Sequence, residues 1–386
     1  MRSFTCRLLF FSCFVISLSS CDSTKNSTRA VPSASISNIK FLGEYDIPFG
    51  HSYHNTIVGG LSGIDYDIKH DIYYMISDDR SSINPARYYT ANIFFTEKGI
   101  DSIRFTSVVN MLQPGGTVYP NNKQDPYNTP DPESMRYDPV TTQLFWTSEG
   151  ERIVKENNPI LADPAIRIIN KQGQFKDSVP IPANLRMQPI EKGPRQNSVF
   201  EGITFADAYK TLFVSVEEPL YEDGPRADTV ENDAYIRLLK FDIKSKKNIS
   251  QYAYKLSPVA YVPDPAKAFK INGIPDILST GDNKLLVIER SFSTGRLACT
   301  IKVFLTDLSN ASDIKDVESL KENKNFTPAS KKLLLNMDDL GIYIDNIEGV
   351  TFGPILPNGH KTLLFISDNN FNPLEKTQIL LFEITD

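Results

Sequence analysis

The feature that most constrains this chain is a pair of short strand-like segments, acid-led in four copies out of five, that recurs along the sequence. Its clearest copy is N-S-V-F-E-G-I-T-F-A-D-A-Y-K-T-L-F-V-S-V-E-E-P, residues 197–219, with Glu201 heading the first segment and Glu217 and Glu218 closing the second. Two runs rich in β-branched and aromatic residues, joined by a tight polar connection, read as an antiparallel hairpin. In such a pair the start of one strand lies beside the end of the other, so the carboxylates gather on one side. Related segments begin at Ser62, Glu133, Asp276 and Glu348, at successive intervals of 71, 68, 75 and 72 residues. A near-constant period marks a repeat architecture.

The first four units each carry four strand-like runs, whereas the fifth has only three before the sequence stops at Asp386. The N-terminal run I-K-F-L-G-E-Y, 39–45, has no partner in the first unit. Supplying the missing strand would close the ring and leave no repeat with an open edge. The expected fold is therefore all-β, a five-bladed β-propeller spanning 38–386 as a single domain. Six blades is the alternative, should the connection 259–270 hide further strands. The long polar connections 113–129, 182–199, 221–234 and 309–330 are expected to decorate the two faces.

Ahead of the repeats, a basic start carrying Arg2 and Arg7 precedes an apolar run, L-L-F-F-S-C-F-V-I-S-L, that is too short for a membrane span and has a signal-peptide layout. It ends in L-S-S-C, which resembles a bacterial lipobox with Cys21 as the lipidated residue. Residues 1–21 are expected to be the signal and 22–37, rich in Ser, Thr, Asn and Ala, a flexible tether. The expected location is the bacterial cell envelope, periplasmic face or outer membrane, with the membrane contacted through lipid on Cys21; simple cleavage and secretion is the alternative. Cys6 and Cys13 would leave with the signal, so Cys299 has no disulfide partner and reads as a small buried apolar residue. A net charge of −6 argues against a nucleic-acid partner and suits cations or cation-escorted substrates. A monomer is expected.

The first strand of a propeller blade lines the central channel and the second runs back beside it. One mouth therefore collects Glu133, Glu201, Asp276 and Glu348 from strand starts, and Asp78, Asp79, Glu149, Glu151, Glu217, Glu218, Glu289 and Asp368 from strand ends. Carboxylates so crowded raise one another's pKa values unless something positive holds them. A hard divalent cation such as calcium, helped by Asn197, Asn272, Asn346, Asn369 and Asn370, is one answer. Arg80, Arg195 and Arg290 are the other. The bland reading is a set of blade-to-blade salt bridges; the functional one is a mixed site with metal on the acids and arginine free to grip an anion. With only His51, His54, His70 and His360, a histidine-rich metal centre is not expected. Ser62, in G-L-S-G-I, lacks the second glycine of a nucleophile elbow and marks the one unit whose acid has been replaced.

The succession G-G-L-S-G-I-D-Y (59–66), I-S-D-D-R (76–80), P-R-Q-N-S-V-F-E-G-I (194–203), L-L-V-I-E-R-S-F (285–292), D-N-I-E-G-V (345–350) and F-I-S-D-N-N-F (365–371) resembles the family known as esterase-like activity of phytase. The resemblance runs from about Gly59 to Phe382 and implies hydrolysis of small anionic esters. Carried over by motif, it points to Arg80, Arg195, Glu201, Glu289, Arg290 and Glu348 as catalytic. Glu133, Asn197, Glu201, Glu218, Asp276, Asn346, Glu348 and Asp368 are the expected metal ligands, with calcium the expected ion. A lactone or carboxylic-ester hydrolase and a non-catalytic binding propeller are the competing functions.

Overall fold

The leading segment of each unit becomes the innermost strand of an antiparallel sheet, and five such sheets stand in a ring. The computed structural model describes residues 1, 34–96 and 99–385; the expected signal, Cys21 and most of the tether lie outside them. Blade one is built from Leu61–Asp67, Ile72–Ser77, Arg87–Thr96 and Gly99–Asn110, and blade two from Pro132–Asp138, Gln143–Ser148, Ala165–Asn170 and Phe175–Val179. Blade three uses Phe200–Ala206, Thr211–Val216, Tyr235–Asp242 and Lys247–Lys255. Blade four, from Ile277–Gly281, Lys284–Ser293, Thr300–Asp307 and Ser330–Asn336, gains a fifth strand, Lys270–Gly273, beside its long second strand. That extra strand extends a blade rather than founding a sixth.

Blade five comprises Asn346–Phe352, Thr362–Asp368, Thr377–Thr385 and, from the other end of the chain, Asn38–Ile47. The register runs from Asn38 opposite Thr385 to Ile47 opposite Thr377, with Phe41 opposite Phe382. The N-terminal strand thus closes the ring, as the unpaired run implied.

A propeller blade buries both faces, which explains why its inner strands do not alternate polar and apolar. Every residue of Pro132–Asp138, Phe200–Ala206 and Thr362–Asp368 is buried. Five apolar clusters fill the five gaps between neighbouring sheets: Tyr74, Tyr88 and Trp146 between blades one and two, for example, and Ile288, Val303, Phe365 and Phe382 between four and five. Inner strands of adjacent blades also meet backbone to backbone. A Cβ on Gly202 would stand 2.6 Å from the Ile277 nitrogen and 2.7 Å from Asp276 Cα. The Glu-Gly pairs of the repeat are therefore a packing requirement as well as a chemical one.

Residues 309–330 do not decorate a face. They fold over the outer edge of blade three, where Ile314 N donates to the Gln251 carbonyl and Ala329 N to the Ala253 carbonyl. The long connection covers a strand edge that would otherwise be open to pairing.

Candidate functional site

Four of the five innermost strands carry a β-bulge at the repeat's signature position. The pairing slips between Leu61 and Gly63, Pro132 and Met135, Phe200 and Ile203, and Ile347 and Gly349. Ser62, Glu133, Glu201 and Glu348 are the residues displaced. A bulge leaves its extra residue out of the ladder and re-aims the side chain; here it turns three carboxylates into the channel mouth. Ser62, in the unit without an acid, donates from Oγ to the Glu133 carbonyl and latches blade one to blade two.

The carboxylates converge in two overlapping groups. One oxygen each from Asp78, Asp131 and Glu133 lie within 4.8 Å of one another, and so do oxygens of Glu133, Glu149 and Glu201. Glu133 belongs to both. Burial, followed by the charge of Glu201, Asp78, Asp131 and Glu149, drives its carboxyl well above the ordinary carboxylate range. Burial likewise raises Asp78, Asp131, Glu149, Glu201 and Asp368, with neighbouring carboxylates adding to it in Asp78, Glu149 and Glu201. Five convergent carboxylates, all hard oxygen donors, suit calcium, which takes six to eight such ligands. Nothing donates a hydrogen bond to the Glu133 carboxylate among the described residues, and its oxygens belong to both groups that could hold a metal ion.

Two arginines border the cluster. Arg290 reaches from blade four to Glu348 Oε1 at 2.5 Å, Asn346 Oδ1 at 2.5 Å and Glu217 Oε1 at 2.7 Å. Arg80 reaches Glu151 at 2.9 Å and Asp131 at 3.5 Å. Arg80 Nε and Nη2 and Arg290 Nε are buried without a hydrogen-bond partner. Burial pushes Glu348 up to about 7 against the pull of Arg290, and Asn346 Nδ2 donates to it at 2.8 Å. Burial and Glu217 push Glu218 up to about 7 as well. Glu218 pairs with Arg226 at 2.6 Å and accepts from Ser198 Oγ, while its Oε1 has no partner.

Beside the cluster opens a cleft of about 670 Å³. Glu217 and Arg290 line it together with Asn197, Asn346, Arg226 and Arg296, and Phe269, Phe292, Leu297 and Tyr343 give it an apolar flank. Cys299 also lines this cleft; burial pushes its thiol up to about 12, so it is no nucleophile at neutral pH.

The structure thus brings Glu133, Glu201, Glu348, Asp368 and Arg80 to one mouth, with Arg290, Asn346 and Asn197 along its cleft and Glu218 buried behind Arg226. Three of the expected catalytic and metal-binding residues lie elsewhere, as do Asp79, which pairs with Arg87 at 2.7 Å, and Asn272, which donates to Glu289. Asp276 turns inward and meets Arg136 at 2.7 Å in the middle of the ring. Glu289 is enclosed between blades three and four by Tyr254, Asn272, the Ser257 amide and Lys331. Arg195 donates to the carbonyls of Pro219 and Gly224 and stacks over Tyr221, which holds the 221–234 loop in place. Asp131, Arg226 and Arg296 were missed. Asp131 sits two residues before Glu133 on the approach to the strand, and the two arginines come from loops, where no repeat exists to align them.

No curated protein is significantly similar in sequence. Among solved structures, a bifunctional GH43-CE protein of Bacteroides eggerthii matches at 10% identity and a TM-score of 0.41, covering 87% of this chain and 34% of its own. This chain thus spans about a third of that protein's length. An endo-arabinase from Bacteroides thetaiotaomicron matches at 12% identity and 0.41, covering 89% and 97%. An exo-β-1,3-galactanase from Phanerochaete chrysosporium matches at 10% and 0.42, covering 88% and 64%. Likenesses of this size say nothing about chemistry. The sequence family is another matter: residues 56–371 match the phytase-like family described as esterase-like activity of phytase, and the chain belongs to it.

Proposed function

We propose that this protein hydrolyses anionic esters, phosphate monoesters foremost, with a divalent cation, calcium, among Asp78, Asp131, Glu133, Glu149 and Glu201. The observation that carries the reading is that an arginine-lined cleft lies beside the carboxylate cluster, with Glu217 and Arg290, which line it, close enough to act on the charge of Glu201. A bound cation would neutralise substrate charge and lower the pKa of a coordinated water. The chain's own groups do the rest. Arg226, Arg290 and Arg296 grip the anion, as guanidinium groups suit phosphate and carboxylate oxygens. The apolar flank seats the organic part of the ester. Glu218, with a pKa of about 7, changes charge near working pH behind Arg226, the cleft arginine it pairs with.

One observation favours a second reading, a non-catalytic ligand-binding propeller. Arg290 is already engaged by Glu217, Glu348 and Asn346, as a structural brace would be. Purified protein assayed on p-nitrophenyl phosphate, phytate and p-nitrophenyl acetate, with and without EDTA, separates them. Phosphatase activity lost on chelation and restored by calcium is expected. Inactivity on all three with retained calcium binding overturns the hydrolase reading. We also propose export and lipid anchoring through Cys21; mass spectrometry of the mature N-terminus tests this, and an unmodified Cys21 would refute it.

A further inference from the structure

The other mouth of the ring holds a second cavity, of about 330 Å³, and the two mouths do not communicate freely. Between them lies the Arg136–Asp276 pair. Arg136 Nη1 donates to the Ile64 carbonyl, and Nη2 donates to Asp276 and to the carbonyls of Ile277 and Val350. A guanidinium from blade two thus ties blades one, four and five across the axis and closes the channel. What remains on the far side is a blind pocket with Asp65 and Arg136 among its lining residues and the rings of Tyr66, Tyr137, Phe205 and Tyr209 around it.

We propose that this pocket is a binding site for a compact organic cation, an ammonium group carried on a small apolar body, with Asp65 as its counter-ion. Asp65 is shielded from bulk water yet keeps accessible surface. It accepts from the Tyr137 amide at 2.8 Å and, weakly, from Thr351 Oγ1 at 3.4 Å, and it forms no ion pair among the described residues. The nearby guanidinium is committed to Asp276, and an incoming ammonium would give Asp65 the direct ion pair that the described residues do not. Aromatic faces suit such a guest, because their negative quadrupoles attract cations and most strongly where water is excluded. An anion would instead meet Asp65 head-on, although Lys361 also lines the cavity. The site is independent of the ester-hydrolase reading, since it shares no residue with the acidic mouth.

Choline and its neutral isostere 3,3-dimethylbutan-1-ol differ in charge but hardly in shape. Titration of the full chain, saturated with calcium, by ligand-observed NMR or calorimetry is expected to show choline binding at least tenfold more tightly than the alcohol. Asp65→Asn should bring the two within about twofold. Tyr209→Leu, which removes a ring but no charge, should weaken choline several-fold and serves if Asp65→Asn does not fold. The paired variant Glu133→Gln/Glu201→Gln should leave choline binding unchanged. Equal affinity for the two ligands, an unchanged choline affinity in both pocket variants, or loss of binding in the acidic-mouth variant would overturn the proposal.

Discussion

Arg136 Nη2 lies 2.7 Å from Asp276 Oδ2 at the centre of the ring, with both side chains essentially sealed from water. The same guanidinium donates to carbonyls of three other blades, so the pair works as an axial bolt rather than as part of the reactive mouth. Removing one partner leaves the other charged and buried, at a cost of about 3–5 kcal/mol. Arg136→Met and Asp276→Asn should each lower the stability measured by urea denaturation by that order. The double variant should recover part of the loss. Single variants within about 0.5 kcal/mol of wild type would show that the bolt bears no strain.

Calcium should stabilise the folded chain through the cluster at Glu133. A ligand that binds only the native state contributes about 2.7 kcal/mol at a concentration of 100 times its dissociation constant. Thermal melts with excess calcium and with EDTA should therefore differ by several degrees. In Glu133→Gln/Glu201→Gln the difference should vanish, and elemental analysis of that variant should find no bound metal. A calcium shift that survives both substitutions would place the ion elsewhere.

Glu218 and Glu348 have folded-state pKa values of about 7, above their ordinary 4.5, because burial disfavours their charged forms. A raised carboxyl pKa means that the folded state holds its protons more tightly than the unfolded one. The associated stability is present below about pH 4.5 and is lost as pH rises through about 7. Melting temperature in EDTA should fall across that window, and excess calcium should offset the fall at neutral pH. A melting temperature that rose with pH in EDTA would contradict the assignment.

Arg226 is partly exposed and lines the cleft from a loop, so its removal should spare the fold. Arg226→Ala is expected to raise KM for p-nitrophenyl phosphate by tenfold or more while leaving the melting temperature within about 2 °C. Its effect on p-nitrophenyl acetate, which carries no charge, should be small. Equal losses on both substrates would mean that the arginine does not grip an anion.

Ring closure rests on the strand Asn38–Ile47, which pairs along nearly its whole length with the last strand of the chain. Deleting residues through Ile47 would expose the edge of Thr377–Thr385 and strip the outer cover from Ile384 and Phe382. The truncated chain is expected to be insoluble or oligomeric by size-exclusion chromatography, whereas truncation before residue 34 should leave a folded propeller.

Blade count, strand order and closure were legible in the sequence because each depends on local information: apolar runs of strand length, a repeat interval, and one strand missing at the end with one spare at the start. The repeat marks the acid or serine of each unit, but the bulge on which it sits shows only in the pairing of the folded sheets. What the repeat did not determine was where each acid points. Asp276 and Glu348 occupy equivalent positions, yet one closes the channel and the other sits at the acidic mouth, because Arg136 from blade two meets only the former. Glu289 and Arg290 are neighbours in sequence, but successive strand side chains face opposite ways, so one is enclosed between blades and the other faces the mouth. Asp131, Arg226 and Arg296 enter the site, and Asp65 the opposite pocket, through contacts between segments far apart in the chain. A carboxylate's partner, and hence its charge state and role, is set by which blades the ring brings together, and only the closed tertiary structure decides that.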